Sequence, residues 1–328
     1  MKILAADIGG TNGRFGLFVW EDRKLALVAE KAYPSRQAGF DTMLDDITYA
    51  WRAFGVAEAR MLSIAAAGPL RGTRIDMTNA GFSIDGPAMK RRFPMARCVL
   101  MNDFEAQAWA CLSPAMAEAS VLLPGAGARG SFRADEGDGR PVAVLGAGTG
   151  LGAAWLIRGV PGFAGVSRPF VLPSEAGHAM FPFDPEDDGE ELLRQGLAQR
   201  CGCAPTAEQV LSGPGLAAMH AVLTGEEAPP AEFCSRPGFG ESATCALYAR
   251  LMGRFCRGAA LSMLPGALVI AGGVAGRTPA LVRHPAFAEE FLGAPSPRRS
   301  MLESVPVWLS ACPHAGLWGA AQAALTVF

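Results

Sequence analysis

Twice in this chain an apolar strand runs straight into a glycine turn that contains a Gly-Thr pair. The first instance is Lys2 to Ala6 followed by Asp7-Ile8-Gly9-Gly10-Thr11-Asn12-Gly13-Arg14. The second is Val142 to Leu145 followed by Gly146-Ala147-Gly148-Thr149-Gly150-Leu151-Gly152. After each turn the chain returns as another apolar stretch, Arg14 to Val19 and Ala153 to Ile157, which reads as an antiparallel partner. A chain of 328 residues is too long for one typical core, so the repeat predicts two α/β lobes that each present a glycine hairpin to a shared cleft.

The intervening sequence fits that plan. A third strand is predicted over Leu25 to Tyr33. Phe40, Met43, Leu44, Ile47, Trp51 and Phe54 recur at helical spacing. Met61 to Ala66 and Cys98 to Met101 read as strands, with Ser83 the expected cap of a short helix between them. Three leading strands followed by alternating helix and strand make an α/β pattern. Gly125 to Pro141 and Thr224 to Ser242 have loop compositions. A long helix carrying Leu247, Leu251, Phe255 and Leu261 leads to the strand Ala267 to Ala271.

Bulk properties narrow the partners. Lys plus Arg is 29 against 31 Asp plus Glu, so no basic footprint for nucleic acid or an anionic membrane is present. The uncharged span between Arg257 and Arg277 is interrupted by Pro265 and several glycines, and it reads as a buried helix end, a turn and a buried strand. Met1-Lys2 runs directly into the first strand without the pattern of a secretory signal. The eight cysteines mostly lie in apolar contexts, as reduced core thiols of a cytoplasmic protein would. Cys201-Gly202-Cys203, with Glu175 and His178, has the elements of a zinc site but not a regular ligand spacing.

Each candidate site residue has a bland reading beside a chemical one. The glycines at 9 and 10, with Thr11, allow close approach of a phosphate chain to backbone N–H groups, and Asp7 at the strand end suits a hydrated Mg²⁺. An ordinary hairpin would look the same. The second turn, Gly148-Thr149-Gly150, favours a triphosphate gripped from both sides, although neither turn is a Walker loop. Gly272-Gly273 after the strand near 270 offers flat backbone to an adenine ring. Asp103, with Asn102 before it, stands at a strand end where it would accept a proton from a hydroxyl while Asn102 positions the sugar, or would merely cap a helix. Glu175, His178 and Glu208 suit sugar hydroxyls. Glu208 also reads as a favourable first-turn charge, and His178 as a structural histidine.

Taken together, Asp7 to Arg14, Met101-Asn102-Asp103-Phe104, Gly146 to Gly152, Glu175 to His178, Glu208 to Leu216 and Ile270 to Gly273 resemble the bacterial ATP-dependent glucokinases of the actin-like, hexokinase-type superfamily. The resemblance implies a two-lobed actin-like (RNase H-like) fold, with 1–104 plus 313–328 as the smaller lobe and 105–312 as the larger. It implies a C-terminal helix around Ala315 to Leu325 lying back against the first lobe. It also implies phosphorylation of the glucose 6-hydroxyl from ATP and Mg²⁺ at the head of glycolysis. Asp103 would be the general base, and Asn102, Glu175, His178 and Glu208 the sugar ligands. A homodimer is the family-level expectation, with no nucleic-acid or membrane partner. Another hexose or aminosugar as acceptor, or a sugar-sensing regulator without turnover, are the alternatives.

Overall fold

The computed structural model describes residues 1–10, 12–35, 39–77, 81–94, 96–125, 130–132, 139–159 and 168–327. Three sheets organise them. In the first, β1 (Lys2–Ile8) pairs antiparallel with β2 (Asn12–Glu21), which pairs antiparallel with β3 (Lys24–Pro34). On its other side β1 runs parallel to β4 (Met61–Ala66), and β4 runs parallel to β8 (Arg97–Asn102). A small antiparallel sheet of β5 (Leu70–Arg71), β6 (Arg74–Met77) and β7 (Phe82–Asp85) lies between β4 and β8 in sequence.

The second large sheet repeats the first. Its strands are β9 (Ser120–Leu123), β10 (Val142–Ala147), β11 (Leu151–Ile157), β12 (Phe170–Ser174), β13 (Ala267–Ala271) and β14 (Val307–Leu309). The order β12-β11-β10-β13-β14 matches β3-β2-β1-β4-β8 in both neighbours and direction, with β9 added at one edge. The predicted repetition of strand, glycine turn and strand is thus a repetition of whole sheets. Both glycine turns lie beyond the C-terminal ends of parallel-sheet strands, the place where open α/β sheets bind ligands.

Two helices separate the sheets. Asp103–Ala110 packs against β11 and β10 of one sheet and β4 and β8 of the other. Ala315–Val327 packs on β1, β4 and β2 and along Asp103–Ala110. One core joins Ile3, Ala5 and Phe18 of the first sheet to Val144, Ala154 and Val269 of the second through Ala106, Trp109, Leu317 and Ala321. Separate cores fill the outer faces, one around Phe15, Met43, Leu44 and Ile47, the other around Leu145, Leu216, Tyr248 and Ile270.

Local expectations fail where a neighbouring residue competes better. Ser83 lies within β7, and Asp85 caps the helix Gly86–Arg92 by accepting from the Ala88 N–H at 2.8 Å. The helix Phe40–Ala50 stops short of Phe54, which is exposed in a separate turn of 3₁₀ helix. The stretch predicted as loop over Thr224 to Ser242 carries the short helix Pro230–Phe233, with Phe233 buried. In the helix Ala243–Met263, Leu247 and Leu251 are buried while Leu261 is exposed, so the end of that helix is not the buried one expected. Much of the predicted loop 125–141 lies outside the described residues. Among the described residues no helix is long and apolar enough to cross a membrane.

Candidate active site

The site is built around the start of the helix Asp103–Ala110, which packs against β10 and β11 of the second hairpin and against β4 and β8 of the first sheet. Ile8 is the last residue of β1, and the Gly9 N–H closes the first turn on the Asn12 carbonyl at 2.9 Å. Thr11, a predicted phosphate ligand, lies outside the described residues. In the second turn the Gly148 N–H donates to the Gly150 carbonyl at 2.8 Å, and the Gly148 carbonyl accepts from the Gly213 N–H at 2.8 Å. That bond seats the start of the helix Gly213–Thr224 against the turn. Gly272 has φ 85°, and its backbone lies so close to Ala147 that an added Cβ would meet the Ala147 carbonyl oxygen at 2.5 Å. The sites predicted for phosphate, at 148–150, and adenine, at 272–273, therefore adjoin one another.

Asn102, not Asp103, caps the central helix. Its Oδ1 accepts from the Phe104 N–H at 2.8 Å, and its own N–H donates to Glu105 Oε2 at 2.8 Å, a reciprocal capping box. The Asn102 Nδ2 reaches the Gly68 carbonyl at 3.4 Å. With the cap supplied by its neighbour, the Asp103 carboxylate accepts from adjacent backbone N–H groups, its own and that of Phe104, the latter at 3.0 Å. The capping reading of Asp103 therefore belongs to Asn102.

Four carboxylates from distant parts of the chain feel one another here. Burial, the largest cause, pushes Asp103 up to about 6, and the negative charges of Glu175 and Glu208 add to it against the pull of backbone N–H groups. Burial also pushes Asp7 up to about 7, helped by the charge of Asp103 and opposed by Arg14. Glu175 and His178 are exposed, with Glu175 Oε2 and His178 Nε2 3.5 Å apart. Glu208 Oε2 accepts from the Leu151 N–H at 2.9 Å, which ties the helix Ala207–Leu211 to the second glycine turn. The same carboxylate lies over Gly150, where an added Cβ would meet Oε2 at 2.6 Å.

Three participants escaped the sequence reading. Arg14 is the cross-strand partner of Asp7, and its Nη1 donates to the Pro313 carbonyl at 3.2 Å. The register of the first hairpin would have revealed it, because directly paired residues share a face. The helix Ala315–Val327 brings Gly316 so near Asp7 that an added Cβ would lie 2.4 Å from Asp7 Oδ2. Nothing local at Gly316 signals this. The Leu151 N–H is a backbone group and invisible to a search for side chains. Among the described residues no three His, Cys, Asp or Glu side chains gather as metal ligands do, and Cys203 is exposed rather than part of a core.

Carboxylates gathered at strand ends beside glycine turns suit transfer of a phosphoryl group to a polyol. The chain matches the family described as glucokinase over residues 4–327. A glucokinase of Caulobacter vibrioides is 32% identical over 333 residues, covering 98% of this chain and 94% of the relative. One of Marinobacter nauticus is 32% identical, covering 98% and 96%. Among solved structures, a glucokinase from an Antarctic psychrotroph has a TM-score of 0.79 at 26% identity, covering 99% of this chain and 98% of that one. A ROK-family glucokinase from Streptomyces griseus, solved with glucose and AMPPNP, has a TM-score of 0.63 at 20% identity, covering 99% of each, and bears on the fold alone. The fold is the two-lobed actin-like one of the sugar kinases.

Proposed function

The chain belongs to the glucokinase family, and on that premise we propose that it transfers the γ-phosphoryl group of ATP to the 6-hydroxyl of glucose with Asp103 as general base. The observation that carries this is Asp103 itself: a carboxylate relieved of capping by Asn102, half-buried, and lifted to about 6, close to the working pH of a base. Asp103 accepts the proton of the 6-hydroxyl as that oxygen attacks the γ-phosphorus. Glu175, His178 and Glu208 bind the hydroxyls that do not react, and Asn102 orients the sugar beside the base. Glu208 also steadies the second turn through the Leu151 N–H, so sugar and nucleotide share a support.

On the nucleotide side, Gly9, Gly10, Thr11, Gly148, Thr149 and Gly150 offer the phosphates close backbone and hydroxyl donors, and Gly272 and Gly273 take the adenine. The raised Asp7 carboxyl fits a hard cation: carboxylate oxygens are its preferred donors, and a positive charge would relieve the repulsion with Asp103. Asp7 would hold Mg²⁺ through water, and the ion would supply charge neutralisation on the phosphate oxygens. Closure of the lobes, 1–104 plus 313–328 against 105–312, excludes water that would otherwise compete as acceptor. The fuller reading is a cytoplasmic homodimer that feeds glycolysis.

A coupled assay of ADP release over a panel of hexoses tests the reading. Glucose is expected to give the highest kcat/KM, and ADP formation should depend on added Mg²⁺. Turnover of mannose or an aminosugar with none of glucose would keep the kinase and reject the substrate. No ADP with any sugar would leave the regulator reading.

A further inference from the structure

Seven of the eight cysteines are buried or half-buried, and burial pushes the thiols of Cys98, Cys234 and Cys245 up to about 11 and that of Cys111 up to about 12. Cys256 and Cys312 are raised for the same reason. Such thiols are poor nucleophiles because little thiolate forms. Cys201 and Cys203 differ in place. They flank Gly202, the left-handed residue that ends the helix Asp188–Cys201, and Cys203 is exposed while Cys201 is half-buried. Their Sγ atoms lie 3.6 Å apart.

This pair touches the machinery that carries Glu208. Gln209 Nε2 lies 3.9 Å from Cys203 Sγ. Gln209 Oε1 accepts from the Thr206 N–H at 2.8 Å, and the Gln209 N–H donates to Thr206 Oγ1 at 3.4 Å, closing the capping box of the helix Ala207–Leu211. The same segment is bonded to the strip beyond His178: the Ala207 N–H donates to the Ala179 carbonyl at 2.9 Å, and the Phe181 N–H to the Pro205 carbonyl at 3.0 Å. Two residues beyond Thr206, Glu208 reaches the Leu151 N–H.

We propose that Cys201 and Cys203 form a reversible oxidation site that closes into a disulfide on reaction with a low-molecular-weight disulfide of the glutathione class, and that closure weakens glucose binding through Gln209 and Glu208. The second half rests on the glucokinase reading above; the first does not. The exposed Cys203 thiolate attacks one sulfur of the small disulfide, whose S–S bond breaks and releases one thiolate. The Cys201 thiolate then attacks Cys203 Sγ, forming the protein disulfide and releasing the second thiolate. Two protein thiols are oxidised, one small disulfide is reduced to two thiols, and the cysteine protons end on those two thiols through solvent. Bonded sulfurs stand about 2.05 Å apart, so the pair must close by ~1.5 Å. Gly202 supplies the backbone freedom for that movement. It draws Cys203 from Gln209 and disturbs the cap that aims Glu208.

The full chain is incubated with oxidised glutathione, quenched in acid and examined by intact mass and peptide mapping. A species lighter than the reduced protein by two hydrogen atoms, with a 201–203 link that dithiothreitol reverses, is expected. Cys201→Ser and Cys203→Ser should each stop at no more than a single glutathione adduct. Calorimetry should give the oxidised chain a glucose Kd about fivefold weaker, the cost of one loosened hydrogen bond. The absence of the lighter species overturns the proposal, as does an equal loss of glucose affinity in oxidised Cys201→Ser/Cys203→Ser. An unchanged Kd in the linked protein overturns the coupling. A reduced chain that does not bind glucose sinks the glucokinase reading, while the mass measurement still decides the oxidation site.

Discussion

At Asp103 the sequence offers one residue two occupations, and the neighbouring asparagine takes one of them, the cap. Because Asn102 caps the helix, Asp103→Asn should leave the fold intact and glucose Kd within a few-fold while kcat falls ~10²–10⁴-fold. A variant keeping a third of the parent kcat would show that Asp103 is not the base. The raised carboxyl also sets a pH dependence. The base works only when ionised, so kcat/KM should fall with an acid limb centred near 6, and the limb should vanish in Asp103→Asn. Stability runs the other way. A folded-state pKa above the unfolded 3.8 means the contribution is complete below 3.8 and is lost as pH rises through about 6. Asp103→Asn should therefore melt a few degrees higher than the parent at pH 8, about 1–2 kcal/mol, with the gap closing at pH 4. An equal shift at both values would trace the gain to something other than the charge. Among the proposed sugar ligands, His178→Ala and Glu208→Gln should each weaken glucose binding by ~1–3 kcal/mol in calorimetry. Folded variants that bind like the parent would move the sugar elsewhere.

The two glycine turns and the central helix behave as elements, and their glycines are not equivalent. An added Cβ at Gly148 meets nothing within 4 Å, so Gly148→Val should fold normally and obstruct only an approaching phosphate. Its KM for ATP should rise far more than its KM for glucose, whereas equal effects would mark the turn as structural. Gly152 and Gly319 are instead places where elements touch. A Cβ on Gly152 would lie 1.9 Å from the Phe104 ring, and one on Gly319 would lie 1.7 Å from the Ala106 carbonyl oxygen. Gly319→Ala should force apart the two helices that lie between the sheets. The overpacking cost is about 1–3 kcal/mol in urea titrations. Because the displaced helix begins at Asp103, kcat should drop as well, with KM for ATP little changed. A Gly319→Ala protein as stable as the parent would mean that the two helices part without cost.

Across the whole molecule, the repeated sheets meet through the core that includes Ala106, Trp109, Leu317 and Ala321. Any closure of one sheet toward the other must turn about these two helices, which together pack against strands of both. The Leu151 N–H bond to Glu208 would then act as a strut between the proposed nucleotide and sugar regions. We expect glucose and a non-hydrolysable ATP analogue to bind with positive synergy in calorimetry, and Glu208→Gln, whose neutral amide binds the N–H less strongly, to lessen it. Independent binding in the parent would deny the strut that role.

How much of this was legible depends on the range of the interaction concerned. Strand, glycine turn and strand are written in neighbouring residues, because alternation and turn chemistry are local; hence both hairpins, β4, β8, β13 and the family itself stand in the sequence. Asp103, Glu175, His178 and Glu208 were recognisable as chemistry-bearing residues, yet their convergence depends on 72 to 105 residues of intervening chain folding back. No local pattern told a cap from a base. In the folded chain Asn102, rather than Asp103, forms the reciprocal cap, and Asp85, rather than Ser83, caps the helix Gly86–Arg92. The placing of Arg14 beside Asp7, the approach of Gly316 from the far end of the chain and the pairing of Cys201 with Cys203 near Gln209 are tertiary facts. Strand register and helix packing set them, through contacts whose free energy exists only once the whole chain has closed.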